Sequence, residues 1–182
     1  MHTWKGLGMI SALVAGMIVV ACDPPAAGNN PSARPLFWEG CLAGGKYTGG
    51  GRVDPPDVGK VTFGFNVHAE DCNDSDIKGE LQVVFHDVGQ TLVHSLTIDH
   101  FASWDDPDRG QCAEFSGTAR AKHVDAGGDW HEHRYTVVVC DKAEPGRGAD
   151  RFSFSWDDGN DELHQNVYDQ VLTGGNIQAH KS

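Results

Sequence analysis

Basic residues are scarce in this 182-residue chain: 14 Lys and Arg stand against 26 Asp and Glu, for a formal charge of -12. Phosphate backbones are held by clustered Lys and Arg, so this balance argues against a nucleic-acid partner. A long apolar run is also missing. The main apolar run, from Leu7 to Ala21, carries no charge and is 15 residues, and a comfortable membrane span needs about 20. No GxSxG, HExxH, P-loop or GxGxxG stands in a fitting context, which leaves no recognisable catalytic framework and predicts a protein that is not an enzyme. No CxxC pair or Cys/His spacing suggests a zinc site.

What the first 22 residues do contain is an export signal. Lys5 lies in a short polar start, and Met9, Ile10, Leu13, Val14, Met17, Ile18, Val19 and Val20 dominate the run that follows. This length matches a signal-peptide core. Its end, Val19-Val20-Ala21-Cys22, resembles the lipobox of bacterial lipoproteins, where the signal is cut before a cysteine that then carries lipid. The reading makes residues 1–21 a lipoprotein signal and Cys22 the lipidation site, with acyl chains holding the protein to a membrane. Cleavage removes Lys5 and no acid, leaving 13 bases, 26 acids and a net -13. Residues 22–35 are rich in Pro and Gly and read as a tether. Residues 36–182 then form one domain outside the cytoplasm, in the cell envelope, on the periplasmic face or the cell surface. The inner and outer membranes both stay open.

Four cysteines remain, an even count that in an exported protein predicts two disulfides. Residues 111–123 and 129–141 read as strands around Asp125-Ala126-Gly127-Gly128. A hairpin centred on Ala126 sets Cys112 directly opposite Cys140, within disulfide reach. Cys41–Cys72 follows by elimination.

The domain reads as all-β. Val61-Thr62-Phe63-Gly64-Phe65-Asn66-Val67, Leu81 to His86, Arg134 to Cys140 and Arg151 to Trp156 alternate apolar and polar residues, the signal of half-buried strands. Leu92 to Phe101 and Cys112 to His123 read as further strands. Asp161 to Thr173 has the composition of a helix, but its place between strand-like pieces favours a strand. Gly49-Gly50-Gly51, Asp71 to Asp76, Val88 to Gln90, Asp105 to Gly110 and Glu144-Pro145-Gly146 read as turns. The spacing predicts a single antiparallel sandwich or barrel of about 8–9 strands.

Several segments, taken together, resemble a family of exported bacterial β-domains, the post-COAP-1 domains found beside surface-anchor modules. They are Gly49 to Asp54, Val61 to Asn66, Gly79 to Gln82, Val93 to Ser95, Phe115 to Ala119, Glu144 to Phe152 and Gly174 to His180. The match spans about residues 43–180. It implies an extracytoplasmic β-domain and no particular activity. The four cysteines and the stand-alone lipid anchor depart from the family pattern.

Chemistry-bearing groups are few. His131-Glu132-His133 places two imidazoles on one strand face opposite Ala121 and Ala119, with His123 near the same turn, a spacing that suits Zn²⁺ or Cu²⁺. His86 and His94 flank the turn around Gln90, and a hairpin centred there sets them opposite each other. Asp71, Asp74 and Asp76 form an acidic loop of the kind that takes Ca²⁺, although no EF-hand frame fits. Trp104, Trp130 and Trp156 lie near strand ends, where exposed rings stack on sugars. These residues point to a monomeric binding or envelope-structural module with a protein or carbohydrate ligand. The alternatives are a metal-sequestering protein and, with less behind it, a hydrolase of unrecognised type.

Overall fold

The period-two pattern folds into ten antiparallel strands. The computed structural model describes residues 44–70, 76–87, 89–125, 127–157 and 163–180, with 163–165 described by backbone alone. The strands are β1 (Gly45–Val53), β2 (Val61–Ala69), β3 (Ile77–Phe85), β4 (Thr91–Ser95), β5 (His100–Asp106), β6 (Gly110–His123), β7 (His131–Asp141), β8 (Arg151–Asp157), β9 (Leu163–Val171) and β10 (Gly174–His180). All belong to one sheet in the order β10-β1-β2-β3-β4-β6-β7-β8-β9, with β5 also paired to β6. Among the described residues there is no helix, and no second sheet for a sandwich to pack against.

The sheet curls instead of stacking. Phe63 on β2 and Phe152 on β8 are several strands apart in the order, yet their rings stack with centroids 3.8 Å apart. Phe65 meets Phe115, Phe85 meets Phe154, and Tyr47 meets Phe101 across the same interior. Odd-numbered residues of β2, β3, β6 and β7 face inward, as do Phe152, Phe154 and Trp156 of β8. Burying one such aromatic stabilises by about 2 kcal/mol, so this curled half-barrel interior is the main source of stability.

Three local expectations are corrected. Gly49-Gly50-Gly51 is the middle of β1, not a turn. A Cβ at Gly49 would sit 2.9 Å from the Phe65 ring and from Asn176 O, and one at Gly51 2.5 Å from Gly174 O, so glycine here permits close packing between strands. Leu92 to Phe101 is broken into β4 and β5. Leu96 and Thr97 both donate to Thr118 O, a bulge that presses residues 96–99 over Gly117. A side chain at Gly117 would collide with Thr97 O, and Tyr135 Oη donates to that same carbonyl at 3.0 Å. Finally, β3 and β4 pair Gln82 with His94 and Phe85 with Thr91. The turn therefore lies two residues earlier than expected, with Gly89 and Gln90 at positive φ, and His86 does not oppose His94. The register differs by an even number of residues, which leaves every face unchanged, so alternation cannot detect it.

The β6–β7 register is the expected one. Cys112 pairs Cys140 and the two form a disulfide. The bond stands on the outer face, because its neighbours Ala113 and Val139 point into the core, yet both cysteines are buried. Trp104 and Arg151 flank it in the same row. By chain entropy, closing this loop stabilises by about 3.5 kcal/mol. Cys41 and Cys72 lie outside the described residues; the β1–β2 ladder ends at Gly45 opposite Ala69.

β10 follows β9 after two residues but pairs with β1 at the far end of the order. Its other edge is met by carboxylates. Asp150 is fully buried; its Oδ2 accepts from Ile177 N at 2.8 Å, and its Oδ1 accepts from Lys142 N at 3.0 Å and Ala143 N at 3.3 Å. Asp141 Oδ2 accepts from Ala179 N at 2.9 Å. Asn176 accepts from Gly146 N and donates to Glu144, which also accepts from Gln178. The segments Glu144 to Phe152 and Gly174 to His180 thus lock onto each other.

Removing the Asp150 carboxylate strands three backbone donors, at about 1–3 kcal/mol for each one left buried. Asp150→Ala is expected to lower the unfolding free energy by about 4 kcal/mol in urea denaturation; a loss under about 1 kcal/mol would show that this edge is satisfied in another way. Gly146→Ala should also destabilise, because its methyl would collide with Asp150 Oδ2. Asp141 behaves differently. Burial raises its pKa first, with the nearby Asp150 and Glu144 adding, against the Ala179 hydrogen bond and His180. The folded state therefore holds that proton more tightly than the unfolded one, and the ionised carboxylate costs stability above the raised pKa. Asp141→Asn keeps an acceptor for Ala179 and should unfold at a higher temperature than wild type at pH 7. The difference should shrink as the pH falls toward 4, the ordinary range of a carboxyl.

Candidate functional site

The two faces of the curled sheet carry different chemistry. Inside, His133 pairs Ala119 and His131 pairs Ala121, as the sequence predicts. His133 Nδ1 lies 2.6 Å from Asp157 O, and its ring lies 4.7 Å from that of Trp156. His131 is exposed. His123 is engaged by Thr91 Oγ1 at 2.8 Å. The pair His131/His133 therefore offers two nitrogen donors at one end of the inner face, and among the described residues no group of three His, Cys, Asp or Glu gathers to hold a metal. His86 faces outward and bonds Thr62 Oγ1 at 2.9 Å. Asp71 and Asp74 lie outside the described residues, as does Cys22; Asp76 is exposed and 3.1 Å from Lys78 Nζ.

The three tryptophans do not share a surface. Trp156 pairs Tyr135, faces the core and is only 4% exposed; its buried indole N–H has no hydrogen-bond partner among the described residues. A stacking role for it is excluded by burial. Trp104 sits half-buried on the outer face beside Cys112. Trp130, just before β7, is 41% exposed. Arg120 Cζ lies 4.9 Å from the centre of the Trp130 ring, and the His94 ring meets it edge-on at 5.5 Å.

These contacts follow from the pairing. Gln82, His94, Arg120 and Glu132 form one cross-strand row. Gln82, His94 and Arg120 alternate with buried neighbours such as Val83, Val93 and Ala121, so the row stands on the outer face. In the adjoining row Val84 pairs Leu92, and Leu92 pairs Lys122. The result is an exposed indole with a guanidinium over it and an imidazole at its edge, beside an amide and a carboxylate. A flat hydrophobic surface next to fixed polar groups is the arrangement that holds a ring-shaped polar ligand.

Arg120 went unread in the sequence. The register that predicts Cys112–Cys140 also sets it opposite Glu132, so half of the cluster was within reach. The His94 contact depends on β4 pairing with β6, which no local pattern signals.

Elsewhere on the surface several charges are paired within the chain. Arg134 grips Asp99 with both terminal nitrogens, at 2.5 and 2.9 Å, and this holds the Asp99 carboxyl below its usual range. Arg52 binds Asp54, and Asp169 takes both Arg109 and Arg151. Comparison with family models, curated proteins and solved structures finds no match.

The opposite placement of Trp130 and Trp156 is open to a direct check. Trp130→Phe should remove a component of the emission that acrylamide quenches, and Trp156→Phe a shielded one. The reverse assignment would contradict the burial described above.

Proposed function

We propose that this protein is a lipid-anchored β-domain of the cell envelope, of the post-COAP-1 type, that acts outside the cytoplasm as a binding or envelope-structural module. The observation that carries the reading is the sequence Val19-Val20-Ala21-Cys22 at the end of an uncharged apolar run. The Cys112–Cys140 disulfide supports it, since such bonds persist in oxidising compartments. A second disulfide, Cys41–Cys72, belongs to the same reading. For the binding role, the support is the exposed Trp130 with its polar neighbours on the outer face.

Palmitate labelling of cells with membrane fractionation tests the anchor. Wild type should take up label and sediment with membranes, and Cys22→Ser should do neither. A Cys22→Ser protein that still labels refutes the anchor.

A further inference from the structure

We propose that the Trp130–Arg120–His94 cluster is a binding site for an acidic glycan, with the sugar ring on Trp130 and its carboxylate on Arg120. This deepens, and rests on, the binding-module reading above.

The argument begins with what Arg120 leaves unused. Acids outnumber bases almost two to one in this chain, and the other strand arginines, Arg52, Arg134 and Arg151, each hold a carboxylate of the protein. Among the described residues Arg120 has no such partner. It rests over the Trp130 ring instead, and Glu132 stands opposite it in the ladder without forming an ion pair with it. A guanidinium positioned on an aromatic ring keeps its forked N–H donors free for a planar anion, and a carboxylate fits that fork with two parallel hydrogen bonds. Trp130 offers the second half of the site. Trp130 is 41% exposed, and the part of its ring that Arg120 and His94 leave uncovered suits the C–H face of a pyranose. Gln82 and Glu132 lie in the same row, with an amide and a carboxylate suited to sugar hydroxyls.

Net charge selects among anionic partners. At -12, or -13 once residues 1–21 are removed, the chain repels a dense polyanion or an anionic bilayer over the length of its field. A short sugar chain carrying one carboxylate per ring escapes most of that repulsion and still satisfies Arg120. The cluster therefore favours a uronic-acid-type ligand over a lipid surface.

The test uses the full chain in detergent micelles, titrated calorimetrically with trigalacturonate and with the uncharged galactose trimer. Trigalacturonate should bind, and the uncharged trimer should bind at least tenfold more weakly. Arg120→Ala and Trp130→Ala should each weaken trigalacturonate at least tenfold with thermal midpoints near wild type. Arg120→Lys should recover only part of the loss, because an ammonium cannot make the two-pronged contact. Absence of trigalacturonate binding overturns the proposal, as does equal affinity for the two trimers or an unchanged Arg120→Ala. Phosphatidylglycerol vesicles that bind through Trp130 while trigalacturonate does not would make the patch a membrane contact and overturn it too. None of these outcomes alters the palmitate result for Cys22, so failure of the glycan site is distinguishable from failure of the anchored-module reading.

Discussion

The buried carboxylate of Asp150 is the interaction on which the closure of this fold depends. A strand at the rim of a sheet presents a row of backbone N–H groups that must find acceptors once water is excluded. β10 has its first ladder with β1 and would leave its second edge empty. Asp150 fills that need at Ile177 while holding the start of the Lys142–Ala149 loop, and Asp141 repeats the device at Ala179. Gly146 is required because Asp150 occupies the space a side chain would take. Glu144 to Phe152 and Gly174 to His180 are the two sides of this contact.

With that closure in place, the rest of the interior follows from chain geometry. Curling brings β2 against β8 and lets Phe63 stack on Phe152. The bulge at residues 96–99 relieves the mismatch between β4 and β5 along a single long partner, β6, and Gly117 and Tyr135 are the residues that accept it. Phe115 to Ala119 is where this adjustment occurs. Phe115 to Ala119, Glu144 to Phe152 and Gly174 to His180 thus coincide with places where the backbone makes an unusual approach.

The same alternation that builds the core divides the chemistry. Inward positions near the β6–β7 turn carry His131 and His133 opposite two alanines; outward positions of β3, β4, β6 and β7 carry Gln82, His94, Arg120 and Glu132. Trp130 and Trp156 look alike in sequence, each near the end of a strand and next to acidic residues. Their fates differ because Trp156 lies directly opposite Tyr135 in the β7–β8 ladder and enters the core with it, whereas Trp130 falls in line with the outward residues of β7. A disulfide on the outer face, beside Trp104 and Arg151, ties the two strands that carry much of both sets.

Sequence alone determined the all-β class, most strand positions including β9, and the Cys112–Cys140 bridge, because period-two burial and a short hairpin are local properties. It missed β1 through its glycines, since a Gly triplet means a turn only when nothing packs tightly on it, and here Phe65, Asn176 and Gly174 do. It placed the β3–β4 turn two residues late, because an even slip preserves every face. The choice of one curled sheet over two stacked ones, the pairing of β10 with β1, the role of Asp150 and the meeting of His94, Arg120 and Trp130 were decided by tertiary structure. Each depends on strands far apart in the chain becoming neighbours, and the free energy that selects those neighbours is spread over the whole interior instead of being written in any one segment.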